Sequence, residues 1–141
     1  MRLTGIAGVL VDSNVLIDVA SNDAQWGEWS ARALAEASES YPLTINPIIY
    51  SEVSVGYSTI EALNLALPLH LYRRDPLPWE AGFLAGKCFE QYRRRGGTRR
   101  SPLPDFYIGA HAAIANLALL TRDASRYQTY FPRVRLLSPE D

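Results

Sequence analysis

The fold of this chain is most constrained by a series of short apolar runs, which are separated by longer segments with helical spacing. The first run, Gly8–Val11, has no polar side chain and stops at Asp12. Runs that are apolar throughout are typical of strands in a parallel sheet, because both faces of such a sheet are buried. The predicted strands are Gly8–Val11, Leu43–Asn46, Leu69–Tyr72, Leu117–Thr121 and a short edge strand at Val134–Leu137.

The segments between these runs carry apolar residues at helical spacing. Trp26–Ser40 shows this clearly, because Trp29, Ala33 and Ala37 recur at every fourth position. The predicted helices are Asn14–Ala20, Trp26–Ser40, Ile48–Tyr57, Ile60–Leu67, Trp79–Arg95 and Asp105–Asn116. Strands that alternate with helices predict a three-layer α/β domain with a mostly parallel sheet. The 141 residues suit one such domain, spanning 1–141.

The supply of metal-binding side chains restricts the chemistry of the chain. Cys88 is the single cysteine, which excludes an internal disulfide framework and a multi-cysteine zinc site. His70 and His111 are the only histidines, so any metal site must consist mainly of carboxylates. Carboxylate oxygens favour hard cations, and Mg²⁺ or Mn²⁺ fits best.

The apolar runs are too short to cross a membrane. Ile114–Leu120 is among the longest, and Asn116 interrupts it. Residues 1–11 contain one charge, Arg2, and their apolar stretch ends at Asp12, which argues against a cleavable signal peptide. We therefore expect no membrane association and a cytoplasmic location.

The net charge of −1 conceals an asymmetry between the two halves of the chain. Residues 1–70 contain two basic and eight acidic side chains, whereas residues 71–141 contain twelve basic and seven acidic ones. The densest basic group consists of Lys87, Arg93, Arg94, Arg95, Arg99 and Arg100. Arginine matches phosphate oxygens, so the group is consistent with a nucleic-acid partner. A solvated helix end with favourable cations near its C-terminus explains it equally well.

Four acidic residues are placed where a parallel sheet can bring them to one edge. Ligands of open α/β sheets bind beyond the carboxyl ends of the strands. Asp12 and Asp123 follow the first and fourth predicted strands, and Glu52 and Asp105 lie on helices that this topology can bring to the same edge. Such carboxylates repel one another unless a divalent cation neutralises them. Since a metal-bound water is a stronger nucleophile, the group predicts phosphodiester hydrolysis.

Each acid also has a local interpretation, and the requirements of other α/β folds with acidic or nucleotide sites are not met. Asp12 and Asp105 could cap the helices that follow them, and Asp123 could stabilise a turn. An aspartyl phosphatase would need a second Asp where Asn14 stands, and a phospho-receiver domain would need a lysine near its acids, whereas Lys87 lies within a helix. The Asp-Ser-Asn turn is not the glycine-rich turn of a dinucleotide site.

Four stretches of the chain resemble the motifs of PIN-domain proteins, especially VapC-type toxins. They are Leu10–Asp18, Asn46–Val53, Pro104–Ala112 and Leu119–Asp123. They occur in the family's order and spacing, and the resemblance extends over nearly the whole chain. The bulky pair Phe106-Tyr107 departs from the small or aliphatic residues common at that point. The resemblance implies a single PIN-like domain, α/β/α in three layers, with strand order 3-2-1-4-5.

The resemblance also implies a function and a set of roles. It implies a ribonuclease that uses Mg²⁺ or Mn²⁺ and acts as the toxin of a toxin–antitoxin pair. Asp12, Asp105 and Asp123 would bind the metal, and Glu52 would hold a metal-bound water or orient the attacking one. The implied partners are an RNA substrate, with transfer RNA as one candidate, a cognate antitoxin and a second copy in a homodimer.

Two neighbours of these acids are predicted to support them. Asn14 and Thr121 have short polar side chains suited to hydrogen-bonding the carboxylates, although local turn or cap bonding is an equally good interpretation. Asp18 lies six residues after Asp12, so it falls on a different helix face and is predicted to be structural.

Arg95, Arg99 and Arg100 are the predicted RNA-binding residues, because the loop that carries them leads directly into Asp105. Two other functions remain open on the sequence alone. One is a catalytically silent PIN-like module that binds RNA or protein, and the other is a housekeeping nuclease of RNA processing. The complete set of four acids argues against the silent module.

Overall fold

The computed structural model describes residues 5–139, which contain a five-stranded sheet and seven helices. The strands are β1 (Val9–Val11), β2 (Leu43–Ile45), β3 (Tyr72–Arg74), β4 (Ala118–Leu120) and β5 (Leu136–Leu137). The helices are α1 (Ser13–Ala20), α2 (Gly27–Ser40), α3 (Pro47–Ser54), α4 (Ile60–Ala66), α5 (Trp79–Arg94), α6 (Pro104–Ala115) and α7 (Ser125–Tyr130). All strand pairings are parallel, in the order β3-β2-β1-β4-β5, which confirms the predicted sheet order.

Helices cover both faces of this sheet. Every residue of β1, β2 and β4 is buried, although neighbouring residues of a strand point to opposite faces. Helix α1 contacts α2 and α3, and α6 contacts α5 and α7. The predicted three-layer α/β class is therefore confirmed. No helix within residues 5–139 combines the length and the apolar composition that a membrane span requires.

The strand order reverses beside Asp12. Strand β1 lies between β2 and β4, so the chain leaves β1 towards one side of the sheet and later returns to the other side. Ligands of open α/β sheets bind at such a reversal point, outside the carboxyl ends of the strands. Val11 pairs with Leu120, and the Asp12 N–H donates to Leu120 O at 2.8 Å. Asp12 and Thr121 therefore leave the sheet at the same edge.

Strand β3 begins later than the apolar pattern predicted. Leu69 and Leu71 are 71% and 55% exposed, and they lie in a turn before the strand. The strand itself has one buried residue, Tyr72, followed by two exposed arginines at the edge of the sheet. The predicted strand Leu69–Tyr72 was wrong because an edge strand needs little apolar sequence, whereas exposed leucines in a turn imitate it.

Helix α7 falls outside the helices predicted from sequence. It has six residues and no side-chain hydrogen bond at its N-cap, so its local signal is weak. The segment packs against α6 where Gly109 meets the Phe131 ring: a Cβ at Gly109 would lie 2.3 Å from Phe131 Cδ2. Because only glycine permits this approach, α7 lies close to α6. Arg126 and Tyr127 are thereby brought to Asp105 in the first turn of α6.

Candidate active site

The four predicted acids come from elements that begin or end at the carboxyl edge of the sheet. Asp12 separates β1 from α1, and Asp123 follows β4. Asp105 lies in the first turn of α6 behind Pro104, a residue suited to a helix start, and Glu52 lies in α3. Asp12 is buried, Glu52 and Asp105 are half-buried, and Asp123 is exposed. The edge of the sheet thus presents acids at three depths.

Asp12 is held by three hydrogen-bond donors. Its Oδ1 accepts from the Ser13 N–H at 2.8 Å, which also caps α1, and its Oδ2 accepts from Thr121 Oγ1 and Tyr127 OH at 2.9 Å. Burial raises the pKa of Asp12 to about 6, and the bonds from Tyr127 and Thr121 oppose part of this rise. A nearby cation would favour the ionised carboxylate in this buried position.

Tyr127, which the motifs did not single out, joins two of the acids. Its OH is 2.9 Å from Asp12 Oδ2 and 3.5 Å from Asp105 Oδ1. The side chain is 1% exposed, and burial together with the charges of Asp12 and Asp105 raises its pKa. The phenol therefore keeps its proton and remains a donor, and the two carboxylates meet at one hydroxyl group.

Asp105 lies between a basic and an acidic neighbour. Burial raises its pKa, the Arg126 guanidinium lowers it, and the Asp123 charge raises it again. Arg126 Nη1 is 3.7 Å from Asp105 Oδ2, and its guanidinium carbon is 5.7 Å from the ring centre of Phe106 and 5.9 Å from that of Tyr92. Arg126 thus places a positive charge beside the acids.

Glu52 is oriented by the first residue of α1. Ser13 Oγ donates to Glu52 Oε1 at 2.9 Å. Burial raises the pKa of Glu52, the bond from Ser13 opposes this, and the Asp105 charge adds to it. A groove of about 670 Å³ opens beside Glu52, between α1 and α3, and its walls include the apolar side chains of Ile17 and Val53. Glu52 is therefore accessible from this groove.

Asn14 and Thr121 tie the start of α1 to the segment after β4. Asn14 Nδ2 donates to Thr121 Oγ1 at 3.1 Å, and Asn14 Oδ1 accepts from the Arg122 N–H at 3.2 Å. Thr121 Oγ1 donates to Asp12 Oδ2. Thr121 therefore contacts a predicted metal ligand directly, whereas Asn14 acts through Thr121.

Asp18 belongs to a separate buried ion pair, as its helix face indicated. Its Oδ2 accepts from Arg122 Nε at 2.7 Å and from Ser30 Oγ at 3.0 Å. His111 is also engaged elsewhere: its Nδ1 is 2.9 Å from Asn46 Nδ2, and burial lowers its pKa. Neither side chain is oriented towards the four acids by these contacts, so both stabilise the fold.

The predicted RNA-binding residues lie at the end of α5 and on the loop that leads to α6. They are Arg95, Arg99 and Arg100, all exposed. The loop is fixed on Tyr92, because Gly97 lies against its ring, where a Cβ would be 2.2 Å from Tyr92 Cε2. Arg126, beside Asp105, lies near the same ring. The Tyr92 ring therefore lies between Gly97 of the basic loop and Arg126, which is beside Asp105.

The oxygen atoms available as metal ligands fit an Mg²⁺ or Mn²⁺ ion held by two carboxylates. Within residues 5–139, no group of three or more His, Cys, Asp or Glu side chains is arranged to hold a metal ion. Asp12 and Asp105 nevertheless meet at Tyr127 OH, and Mg²⁺ is usually bound by one or two carboxylates with waters completing its shell. Asp123 is exposed and accepts from Ser125 Oγ at 3.1 Å. Among the described residues, Asp12 and Asp105 therefore form a pair of carboxylates, and Asp123 lies exposed beside them.

Sequence reasoning missed three residues of this site: Ser13, Arg126 and Tyr127. Arg126 and Tyr127 were missed because α7 was not predicted. A signal was present, since Tyr127 stands four residues, about one helical turn, after Asp123. A helix beginning just after Asp123 would have placed both side chains near the acidic edge.

The comparison with known families agrees with this geometry. Residues 9–132 match the family model described as PIN domain, so the chain belongs to the PIN domain family and the predicted resemblance is confirmed. No curated protein matches the sequence.

Solved structures with the same fold include toxin–antitoxin complexes. VapBC2 from Rickettsia felis bound to a promoter DNA fragment has a TM-score of 0.71 at 15% identity and covers 94% of this chain and 98% of its own. VapBC-1 from nontypeable Haemophilus influenzae has a TM-score of 0.69 at 18% identity, with coverages of 92% and 96%. A toxin–antitoxin complex from Klebsiella pneumoniae has a TM-score of 0.64 at 21% identity, with coverages of 94% and 98%. At these identities the similarity establishes the fold alone.

Proposed function

We propose that this protein is an endoribonuclease that depends on Mg²⁺ or Mn²⁺ and acts as the toxin of a toxin–antitoxin pair. The observation that supports this most directly is the meeting of the Asp12 and Asp105 carboxylates at the carboxyl edge of the sheet. Membership of the PIN domain family supports a nuclease. The toxin–antitoxin complexes among the structures of the same fold support the toxin assignment.

The proposed roles follow from which oxygens are free. Asp12 and Asp105 would hold the ion, and Asp123 would reach it directly or through a water. When bound, the ion supplies a stronger water nucleophile and stabilises charge on a phosphoryl oxygen. Glu52 Oε1 is engaged by Ser13 Oγ, so Glu52 Oε2 would orient the attacking water and accept its proton. The raised pKa of Glu52 suits a proton acceptor.

Cleavage of RNA should depend on the divalent cation. Purified protein, freed of any antitoxin, should cleave labelled RNA in Mg²⁺ or Mn²⁺, stop in excess EDTA, and resume when the metal is restored. The reason is that Asp12, Asp105 and Asp123, the side chains proposed to hold the ion, are all carboxylates. An undiminished rate in excess EDTA would contradict the proposal. Binding of RNA without cleavage under all metal conditions would favour the silent PIN-like module.

The basic loop should contribute to RNA binding through phosphate contacts. Replacing Arg99 and Arg100 by Ala should weaken the binding of single-stranded RNA. The slope of log affinity against log salt is negative, and it should become less steep by about 1.4, since each phosphate contact contributes about 0.7 for single strands. Fluorescence anisotropy of a labelled RNA at several salt concentrations measures both quantities.

A matched control removes the same charge at the opposite edge of the sheet. Arg133 and Arg135 are exposed and precede β5, so they lie at the amino ends of the parallel strands. Replacing both by Ala should leave the salt slope close to that of the parent. If the Arg99 and Arg100 double variant keeps the parental affinity and slope, the loop is a solvated surface.

A cognate antitoxin and a homodimer complete the proposal. An antitoxin arginine or lysine entering the acidic site would replace the charge of the metal and so inhibit the enzyme. The groove beside Glu52 offers apolar side chains, including Ile17 and Val53, that such a partner could cover. The RNA substrate, with transfer RNA as one candidate, would be met in the cytoplasm.

A further inference from the structure

Tyr127 belongs to the acidic site but lies on α7, a helix that contains none of the four acids. Its ring is 1% exposed on α7, and its OH reaches Asp12 after β1 and Asp105 on α6. The contact between Gly109 and Phe131 fixes α7 against α6. One phenol therefore connects three separate elements at the carboxyl edge of the sheet.

The contacts of Asp12 show which of its oxygens remains available. A carboxylate oxygen has two lone pairs, and Asp12 Oδ2 accepts from both Thr121 Oγ1 and Tyr127 OH. Asp12 Oδ1 accepts from the Ser13 N–H and keeps its second lone pair. Tyr127 thus directs Asp12 to present Oδ1. The phenol has one proton, which Asp12 accepts, and the same hydroxyl oxygen lies 3.5 Å from Asp105 Oδ1, so that Asp105 is brought close to Asp12.

We propose that Tyr127 is a positioning residue that sets the spacing and orientation of Asp12 and Asp105 for the divalent cation. This inference rests on the proposed function, because it assigns the two acids to one ion. A phenol buried for a purely structural reason needs only one hydrogen-bond acceptor, whichever residue supplies it. The OH of Tyr127 instead lies between Asp12 Oδ2 and Asp105 Oδ1, so one side-chain oxygen contacts both acids.

Removing the hydroxyl alone should therefore weaken metal binding. Tyr127→Phe keeps the buried ring, and Mn²⁺ affinity should fall by about tenfold or more, because loss of an outer-shell partner of a metal ligand commonly costs 10–100-fold. The affinity is measured by titrating Mn²⁺ into the full chain and following the free-ion EPR signal. Thermal unfolding of each metal-free variant confirms that the titrated protein is folded.

Two controls make the result specific. Tyr130→Phe removes a phenol hydroxyl from the same helix, and Mn²⁺ affinity should stay within about twofold of the wild type. Asp12→Asn removes a proposed ligand and should abolish binding at this site. Mn²⁺ affinity of folded Tyr127→Phe equal to that of the wild type would overturn the inference while the proposed function stands. An equal loss in Tyr130→Phe would also overturn it. Wild-type binding no tighter than that of Asp12→Asn would overturn the proposed function itself.

Discussion

Replacing Asp12 by Asn is expected to lower the rate of RNA cleavage at least about a hundredfold, while the fold is retained. Asn has nearly the same size, and the Tyr127 hydroxyl can accept a hydrogen bond from its amide. What disappears is the charge that binds the cation. Charge stabilisation by a bound metal is worth several kcal/mol, and each step of about 1.4 kcal/mol is a factor of ten in rate. Initial rates on labelled RNA, at one Mg²⁺ concentration that saturates the wild type, measure the effect.

The same variant carries a second signature, in the pH dependence of stability. The Asp12 pKa is about 6 in the metal-free protein against an ordinary value of 3.8, so the native state binds the proton more tightly than the unfolded chain. The contribution of Asp12 should therefore lower the free energy of unfolding by about 3 kcal/mol as the pH rises from about 4 to above 6. Asp12→Asn should remove this decline. Glu39→Gln, an exposed change on α2, should alter neither cleavage nor the pH profile. Wild-type cleavage by Asp12→Asn would exclude Asp12 from the site.

Replacing Arg122 by Ala is expected to cost about 3 kcal/mol of folding stability. Arg122 Nε lies 2.7 Å from Asp18 Oδ2, and the Asp18 side chain is only 3% exposed. Removing one partner of a fully buried ion pair commonly costs about 3–5 kcal/mol. The loss here should fall at the lower end of that range, because the Arg122 side chain is 34% exposed and its removal also admits water to Asp18. Urea unfolding of the metal-free protein at neutral pH measures the loss.

Neutralising the remaining partner should recover much of this stability. In the double variant Arg122→Ala with Asp18→Asn, the buried side chain is uncharged and still has Ser30 Oγ as a partner. Arg133→Ala, at an exposed position, should change the free energy of unfolding by no more than about 0.5 kcal/mol. A loss for Arg122→Ala as small as that of Arg133→Ala would show that the pair does not hold α1 to the segment after β4.

Much of the fold could be predicted because its signals are local. One apolar run ends at Asp12 and another ends near Thr121. Each marks a parallel strand that is buried on both faces. Strand β3 was displaced because Leu69 and Leu71 are apolar yet exposed, and a local pattern carries no information about what covers a side chain. The sheet order itself came from the family resemblance rather than from periodicity.

The acids proposed for the candidate site carry local signals in the sequence, whereas the contacts that arrange them do not. Asp12 and Asp105 stand at the starts of helices, a position visible in the sequence. Tyr127 meets Asp12 across 115 residues, and Arg122 meets Asp18 across 104, so no local pattern reports either contact. Such contacts arise from packing between layers, which only the assembled sheet and helices define.

The central claim, that a metal-activated water attacks the RNA phosphodiester, is tested most directly by the chemistry of the cleaved ends. RNA is cleaved by the antitoxin-free protein with Mg²⁺ in ¹⁸O-labelled water, and the masses of the fragments are measured by mass spectrometry. Direct attack by water predicts one ¹⁸O atom in a new 5′-phosphate, a 3′-hydroxyl on the other fragment, and no product in excess EDTA. Fragments that end in a 2′,3′-cyclic phosphate without ¹⁸O would show attack by the ribose hydroxyl and would contradict the account.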